Sequence, residues 1–498
     1  MEYKWKALSV TSIGALMSAV DSTVVLLALY PIAKDLSSNF VTMIWVIIAY
    51  LLVNTALVLS LGRLADMYGR KKMYNIGFVI FTIGSGLCGL AFSGISLVGF
   101  RVIQGAGAAL LTANSFAILS EAFPRNETGR AFGVNSIVWG IGSVLGIVLG
   151  GVIIAFTTWR LIFLINVPIG IFATIWAYYA LRPSPVRGGK ETFDLPAAVT
   201  FTLGLLSVLL GVTFGLLYGW IDGKTLLFFA MSPILFVAFG VWEAKYSKIP
   251  IVDFSLFRSK EFSFSILAAL IQSLAIFSVN FLLIFYLEGI AGLNVLMASY
   301  LIIPLAIASA VFGPLGGILS DRIGPRIVAS VGLSLAFLSL MLLTQLSVAT
   351  PLIEIGIIET IAGTGLGVFW PSNTSAIMSA IPPTRFGVGS GVMNTFRNTG
   401  MIMSFALALT AATSKLNPLI VYQLFIGSLS QPLQSTDAST YLSGQSFAFE
   451  ISAGLIILAI LFSIFSGSGV RKSSKNMSAS EWKEQQENIS KHDAQNLV

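Results

Sequence analysis

The chain has 498 residues, 56% hydrophobic and only 10% charged, with a formal net charge of +7. A soluble domain carries about 25% charged residues, so the composition argues against a water-soluble enzyme. A single cysteine, Cys88, excludes an intrachain disulfide and a thiolate metal cluster, and the only histidine, His492, lies in a polar C-terminal segment; neither a metal nor a cofactor is expected.

The apolar residues come in blocks of about 20, long enough to cross a bilayer core as helices, and they lack the alternation of barrel strands. They predict fourteen spans, at 7–33, 41–61, 73–93, 95–119, 130–157, 161–181, 195–217, 225–243, 263–287, 296–318, 328–348, 350–372, 386–411 and 446–466. The first block exceeds a signal-peptide core and carries Asp21 at its middle, so it reads as a retained helix. With the N-terminus placed in the cytoplasm, twenty-three of the 29 Lys and Arg fall on cytoplasmic segments. Four fall on outer segments (Lys34, Arg160, Lys224, Lys415) and two lie inside helices (Arg101, Arg397). The basic excess is thus a topology signal and not a nucleic-acid surface. A multi-pass cell-membrane protein with both termini in the cytoplasm is expected.

The predicted fold is all-α: fourteen transmembrane helices, forming two pseudo-symmetric six-helix bundles with two helices inserted between them. Residues 1–181 form the N-terminal bundle, 182–261 the linkers and the two additional helices, and 262–466 the C-terminal bundle. Residues 467–498 form a polar tail expected to be disordered and cytoplasmic, so its two glycosylation sequons, at Asn476 and Asn488, are discounted. The halves show in a repeat. Gly62-Arg63-Leu64-Ala65-Asp66-Met67-Tyr68-Gly69-Arg70-Lys71-Lys72 has an echo in Gly317-Ile318-Leu319-Ser320-Asp321-Arg322-Ile323-Gly324-Pro325-Arg326, with Gly, Asp, Gly and a basic residue at matching offsets. Two related halves around a central site is a common construction for secondary transporters.

Asp21 lies near mid-depth of the first helix, where a charge costs about 2.5–3.5 kcal/mol on insertion scales. It is either a proton or substrate site or one half of a fixed structural ion pair. Arg101 does not deprotonate and needs an anion or a wet cavity; Asp21 is its natural partner, although counted depths differ by roughly 9 Å. Gln104 shares the Arg101 face at i+3. On the thirteenth helix Asn394, Arg397 and Asn398 form a polar face, with Glu359 on the twelfth as a candidate counter-ion. These five side chains are the candidate substrate cavity, and Trp45, Trp139 and Phe369 could add apolar lining. Glu288, Glu354 and Glu450 read as boundary residues. Asp66 and Arg70 are spaced i, i+4 in a helix-linking loop, either as a latch or as a solvated basic loop. Gly142, Gly146 and Gly150 strip one face of the fifth helix of side chains, as close helix packing requires.

Several strings carry a family resemblance. Gly62 to Lys72 resembles the cytoplasmic loop signature of the Major Facilitator Superfamily. Asp21-Ser22-Thr23-Val24-Val25, with Ala28 and Pro31, is similar to the first-helix motif of its drug:proton antiporters, and Arg101-Val102-Ile103-Gln104-Gly105 to the fourth-helix motif. Trp159-Arg160-Leu161-Ile162-Phe163-Leu164-Ile165-Asn166-Val167-Pro168, Gly363-Thr364-Gly365-Leu366-Gly367 and Asn394-Thr395-Phe396-Arg397 resemble the 14-helix subfamily. The chain departs from the pattern at Ile147, where the fifth-helix antiporter motif has proline.

The resemblance implies a transporter and not an enzyme: a monomer that exports lipophilic or cationic small molecules in exchange for protons, with Asp21 and Arg101 in proton coupling. It also implies a cytoplasmic gate at Gly62, Asp66, Gly69 and Arg70, with Asp321 and Arg322 as a weaker second latch. The expected partners are the substrate, protons and the lipid bilayer. The alternative is a transporter of one metabolite or organic anion, held by Arg101 and Arg397.

Overall fold

A computed structural model describes residues 2–124, 127–183, 194–246, 254–293, 295–382, 386–413 and 435–466. The predicted tail after 466, and much of the linkers and the long outer loop, lie outside the described residues. Those residues are helical with no strand among them.

The N-terminal half contains α1 (Tyr3–Asp35), α2 (Phe40–Tyr68), α3 (Arg70–Gly89), α4 (Gly94–Ala122), α5 (Thr128–Phe156) and a sixth segment broken into α6 (Arg160–Leu164) and α7 (Asn166–Ala180). Local chemistry sets the starts. Asn39 Oδ1 accepts from the Thr42 amide at the head of α2, and Ser93 and Ser96 form a reciprocal cap on α4. Gly69 ends α2 and begins α3 with φ of 95°, and Gly324 makes the equivalent turn in the second half with φ of 101°. Both copies of the sequence repeat therefore use the backbone region open to glycine.

The inserted pair is α8 (Leu195–Tyr218) and α9 (Gly223–Lys245), started by Asp194 and Asp222. They pack on each other, and α8 also touches α2 and α15 (Phe386–Thr413). The C-terminal half opens with α10 (Lys260–Ile276) and α11 (Val279–Phe285), followed by a π-helical turn. It continues with α12 (Val295–Ile323), α13 (Pro325–Leu343), α14 (Leu352–Ser379), α15 and α16 (Ser435–Phe465). The halves meet along α5 against α12 and α14, and along α2 and α4 against α15. At one such crossing a side chain on Gly133 would lie 3.0 Å from the Gly313 carbonyl oxygen.

All fourteen predicted segments are helical. Among the described residues, twelve helices are long and apolar enough to cross a membrane. The two that fall short are α3, which opens on Arg70, Lys71 and Lys72, and α15, which carries Asn394, Arg397 and Asn398. The outer surface is apolar, with Phe92, Phe156, Ile221, Ile234 and Ile353 more than two-thirds exposed. Such a surface is stable against lipid and not against water. The molecule is a multi-pass membrane protein.

Candidate functional site

Three polar side chains from two helices meet in the dry interior of the N-terminal half. Arg101 Nη1 donates to Asp21 Oδ2 at 2.5 Å and to Gln104 Oε1 at 2.7 Å. Gln104 Nε2 donates to Asp21 Oδ1 at 2.7 Å and to Ser85 Oγ at 3.2 Å. Both carboxylate oxygens of Asp21 are thus engaged. Arg101 Nε donates to the Val46 carbonyl at 3.1 Å, and its guanidinium lies 4.2 Å from the Tyr50 ring centre. Ser85 closes the outer layer: it donates to the Phe163 carbonyl and accepts from Asn166. Asp21, Arg101 and Gln104 are each at most 1% exposed. A buried charge is tolerated when paired and when its remaining donors are satisfied; six helical segments supply those partners here.

The helices reach one another because small residues face the contacts. A side chain on Gly84 of α3 would overlap the backbone of Gln104, and one on Gly146 of α5 would overlap Val20 and Thr23 of α1. Gly142 lies against Ala19 and Leu16, so the expected glycine face of the fifth helix packs on α1; Gly150 is also buried. α5 runs unbroken through position 147.

The second cluster lies where the halves meet. The Arg397 guanidinium lies near two indoles, 5.2 Å from the ring centre of Trp139 and 5.6 Å from that of Trp370. It borders a small cleft lined also by Ser18, Ser115, Phe116, Asn135 and Trp139. Arg397 Nε and Asn135 Nδ2 are buried without a hydrogen-bond partner. Asn394 Nδ2 bridges the halves by donating to the Thr112 carbonyl at 3.3 Å, while Asn398 is buried.

The predicted cavity residues therefore separate. Gln104 belongs with Asp21 and not with the cleft. Glu359 is fully buried in α14 with neither oxygen partnered, and it does not pair with Arg397. Trp370, which touches Arg397, is eleven positions further along α14, roughly 16 Å at the helical rise. Of the three aromatic candidates only Trp139 lines the cleft; Trp45 meets Phe214 of α8, and Phe369 is buried beside Trp370. Glu354 and Glu450 are exposed.

Where α2 turns into α3, Arg70 donates to Asp66 Oδ1 at 2.9 Å through Nη2 and to Glu121 Oε2 at 3.1 Å through Nη1. The i, i+4 pair is as spaced in the sequence; Glu121 was not legible there, since nothing in a sequence says that the end of α4 abuts this turn. All three residues belong to one half. Asp321 is half-buried and Arg322 exposed. At the opposite end, Asp35 accepts from Arg160 Nη1 at 2.5 Å and from Trp159 Nε1 at 3.0 Å, which holds its carboxyl below the usual carboxylate range.

The comparisons agree with this architecture. The profile of the Major Facilitator Superfamily matches residues 11–405. The chain is 32% identical over 480 residues to the riboflavin transporter RibZ of Clostridioides difficile, covering 96% of this chain and all of that one. It is 29% identical to the multidrug transporter protein MdtP of Bacillus subtilis, covering 87% of this chain and 80% of the relative. Among solved structures, the human organic anion transporter MFSD10 superposes with a TM-score of 0.64 at 13% identity, over 92% of this chain and 99% of that one. At that identity the likeness concerns the fold.

Proposed function

Because the chain belongs to the Major Facilitator Superfamily, we propose that this transporter exports lipophilic small molecules, cationic ones among them, in exchange for protons by alternating access. The observation that carries the reading is the Asp21–Arg101–Gln104 network. It is a carboxylate at the centre of a membrane protein, held by a cation that keeps its charge. Protonating Asp21 removes one charge from the pair and frees Arg101, so proton binding and helix position become linked. A membrane potential of 100 mV contributes about 2.3 kcal/mol per charge, and one pH unit about 1.36 kcal/mol. One proton exchanged for one neutral molecule then supports a gradient of roughly 500-fold, so one carboxylate suffices.

In this reading α3 and α15 also cross the bilayer. Each is packed between helices that are long and apolar enough to span: α3 between α4 and α7, α15 between α2 and α10. The result is two six-helix bundles plus an inserted pair, acting as a monomer in the cell membrane with cytoplasmic termini. Asp66, Arg70 and their neighbours act as the cytoplasmic gate. The experiment uses everted vesicles with an imposed pH gradient, acid inside. Release of that gradient on adding a substrate supports exchange with protons; no release with any compound that the protein accumulates overturns it.

A second reading is a transporter of one metabolite or organic anion. Arg397, a cation bordering the cleft, favours it, as does similarity to a relative named as a riboflavin transporter. Saturable, gradient-independent flux of a single compound would select it.

A further inference from the structure

We infer that the cleft between the halves takes flat aromatic compounds with an acceptor-rich edge, neutral or anionic, and discriminates against cations. The inference rests on the transporter reading and departs from it on one point: of the lipophilic compounds proposed there, the cationic ones are disfavoured.

Three features converge. The first is charge. Arg397 is a permanent cation at the cleft, and among the described residues no carboxylate lines it. Neither Asp21 of α1 nor Glu359 of α14, both buried carboxylates, offsets it. Asp21, one turn beyond Ser18 on α1, has both oxygens bound by Arg101 and Gln104. Glu359 lies roughly 16 Å from Trp370 along α14. A cationic ligand entering the cleft would face Arg397 with no counter-charge.

The second feature is donor polarity. Arg397 Nε and Asn135 Nδ2 are both N–H donors, both buried, and both without a partner. They come from opposite halves, α15 and α5, and line one cleft. A buried donor left unpaired is costly, and a ligand oxygen or ring nitrogen that accepts from it removes that cost. Ser18 and Ser115 add hydroxyls that can serve either role. The unmet demand is therefore for acceptors.

The third feature is shape. Trp139 and Trp370 lie near the guanidinium, and Phe116 and Trp139 line the cleft. Parallel or tilted aromatic faces favour a planar π-system in offset contact. A guanidinium held over indole faces is also a flat surface on which a ring can stack.

The test measures equilibrium binding to the purified full-length protein in nanodiscs, using three fluorescent aromatic probes of different charge: fluorescein (anionic), riboflavin (neutral and acceptor-rich) and ethidium (cationic). Fluorescein and riboflavin are expected to bind at least about tenfold more tightly than ethidium. Arg397→Met is expected to weaken fluorescein by about tenfold or more and to leave ethidium unweakened. Ethidium binding as tightly as fluorescein, or equal losses for both probes in the variant, would overturn the inference. Should Arg397→Met fail to fold, Asn135→Leu carries the test, since it removes one unpaired donor without altering charge. It should weaken riboflavin and fluorescein and spare ethidium; equal losses of all three would again overturn the inference. Binding in the expected order, with no gradient-driven flux of any probe in proteoliposomes, would retain the ligand class and remove the exporter reading.

Discussion

Arg101 and Asp21, eighty positions apart in the chain, meet at 2.5 Å with less than 2% of either residue exposed. Both charges are buried and each is the other's charged partner, so their fates are linked. Asp21→Asn keeps the volume and an acceptor but removes the proposed proton site, and it leaves Arg101 uncompensated. The variant is expected to insert and fold with reduced stability, since breaking a buried pair costs about 3–5 kcal/mol, and to lose concentrative transport. Everted-vesicle transport driven by a pH gradient is the measurement. Full activity in the variant would remove Asp21 from proton coupling.

Arg101→Lys tests shape against charge. Arg101 reaches Asp21, Gln104 and the Val46 carbonyl at once while its flat face lies on Tyr50. A lysine ammonium is a point charge and does not reproduce that fork. Little recovery of transport is expected from Arg101→Lys. The double variant Asp21→Asn with Arg101→Gln is expected to melt higher than Asp21→Asn alone, because it leaves no unpaired charge. A melting temperature equal to or below that of the single variant would mean that the pair does not govern local stability.

The twelve long apolar helices were legible because their apolar blocks match the bilayer thickness. The repeat was legible as a string, but that Gly69 and Gly324 both turn the chain at positive φ is seen only in the structure. The Asp21–Arg101 contact was legible as a pairing of buried opposites, even though counted depths left them apart. Counting from helix ends fixes depth poorly in α1, which is 33 residues long. The same logic failed for Glu359 and Arg397, also opposite and also buried. Sequence gives the rotation of a helix about its axis only through its apolar face, and α14 is apolar nearly all round. The roles of Ser85, Asn166 and Glu121 were hidden for the same reason: each depends on which face of one helix meets another.

Gly146→Ala should damage the contact between α1 and α5, and Gly151→Ala should not. At 146 a methyl group would overlap Thr23 and lie 2.7 Å from the Val20 carbonyl oxygen, both beside Asp21. At 151 the nearest atom is Leu296 Cδ1 at 3.8 Å. The expected result is a loss of about 1–3 kcal/mol for Gly146→Ala, as for overpacking elsewhere, and a change near zero for Gly151→Ala. Thermal melts in detergent decide the matter, and equal melts would mean that the helices part here without penalty.

Glu359→Leu is expected to stabilise the protein. The carboxyl group is fully buried and neither oxygen has a partner, so its desolvation is uncompensated. A similar-sized apolar side chain removes that penalty, about 1–3 kcal/mol for an unsatisfied polar group. The melting temperature should rise. A fall of several degrees would show that the carboxyl finds a partner in the membrane-embedded protein.

The last prediction concerns the proposed cytoplasmic gate. Alternating access requires the halves to close and part on each side in turn. Arg70 ties the ends of α2, α3 and α4 together through Asp66 and Glu121, and it also reaches the Ala117 carbonyl. Because two carboxylates share the guanidinium, removing one leaves the other. Asp66→Ala alone should therefore loosen the cluster less than Asp66→Ala combined with Glu121→Ala. Glu121 is more exposed than Asp66, so its bond is more screened and Asp66 should contribute the larger part. A gate worth about 1.4 kcal/mol changes the open-to-closed ratio about tenfold. The probe is a cysteine at the buried position of Ser120, one residue before Glu121 on α4, after Cys88→Ala removes the native thiol. Labelling by a polar thiol reagent from the cytoplasmic side should be faster in Asp66→Ala than in the parent, and faster again in the double variant. Equal rates in all three, with normal expression and turnover, would leave this loop a determinant of topology alone.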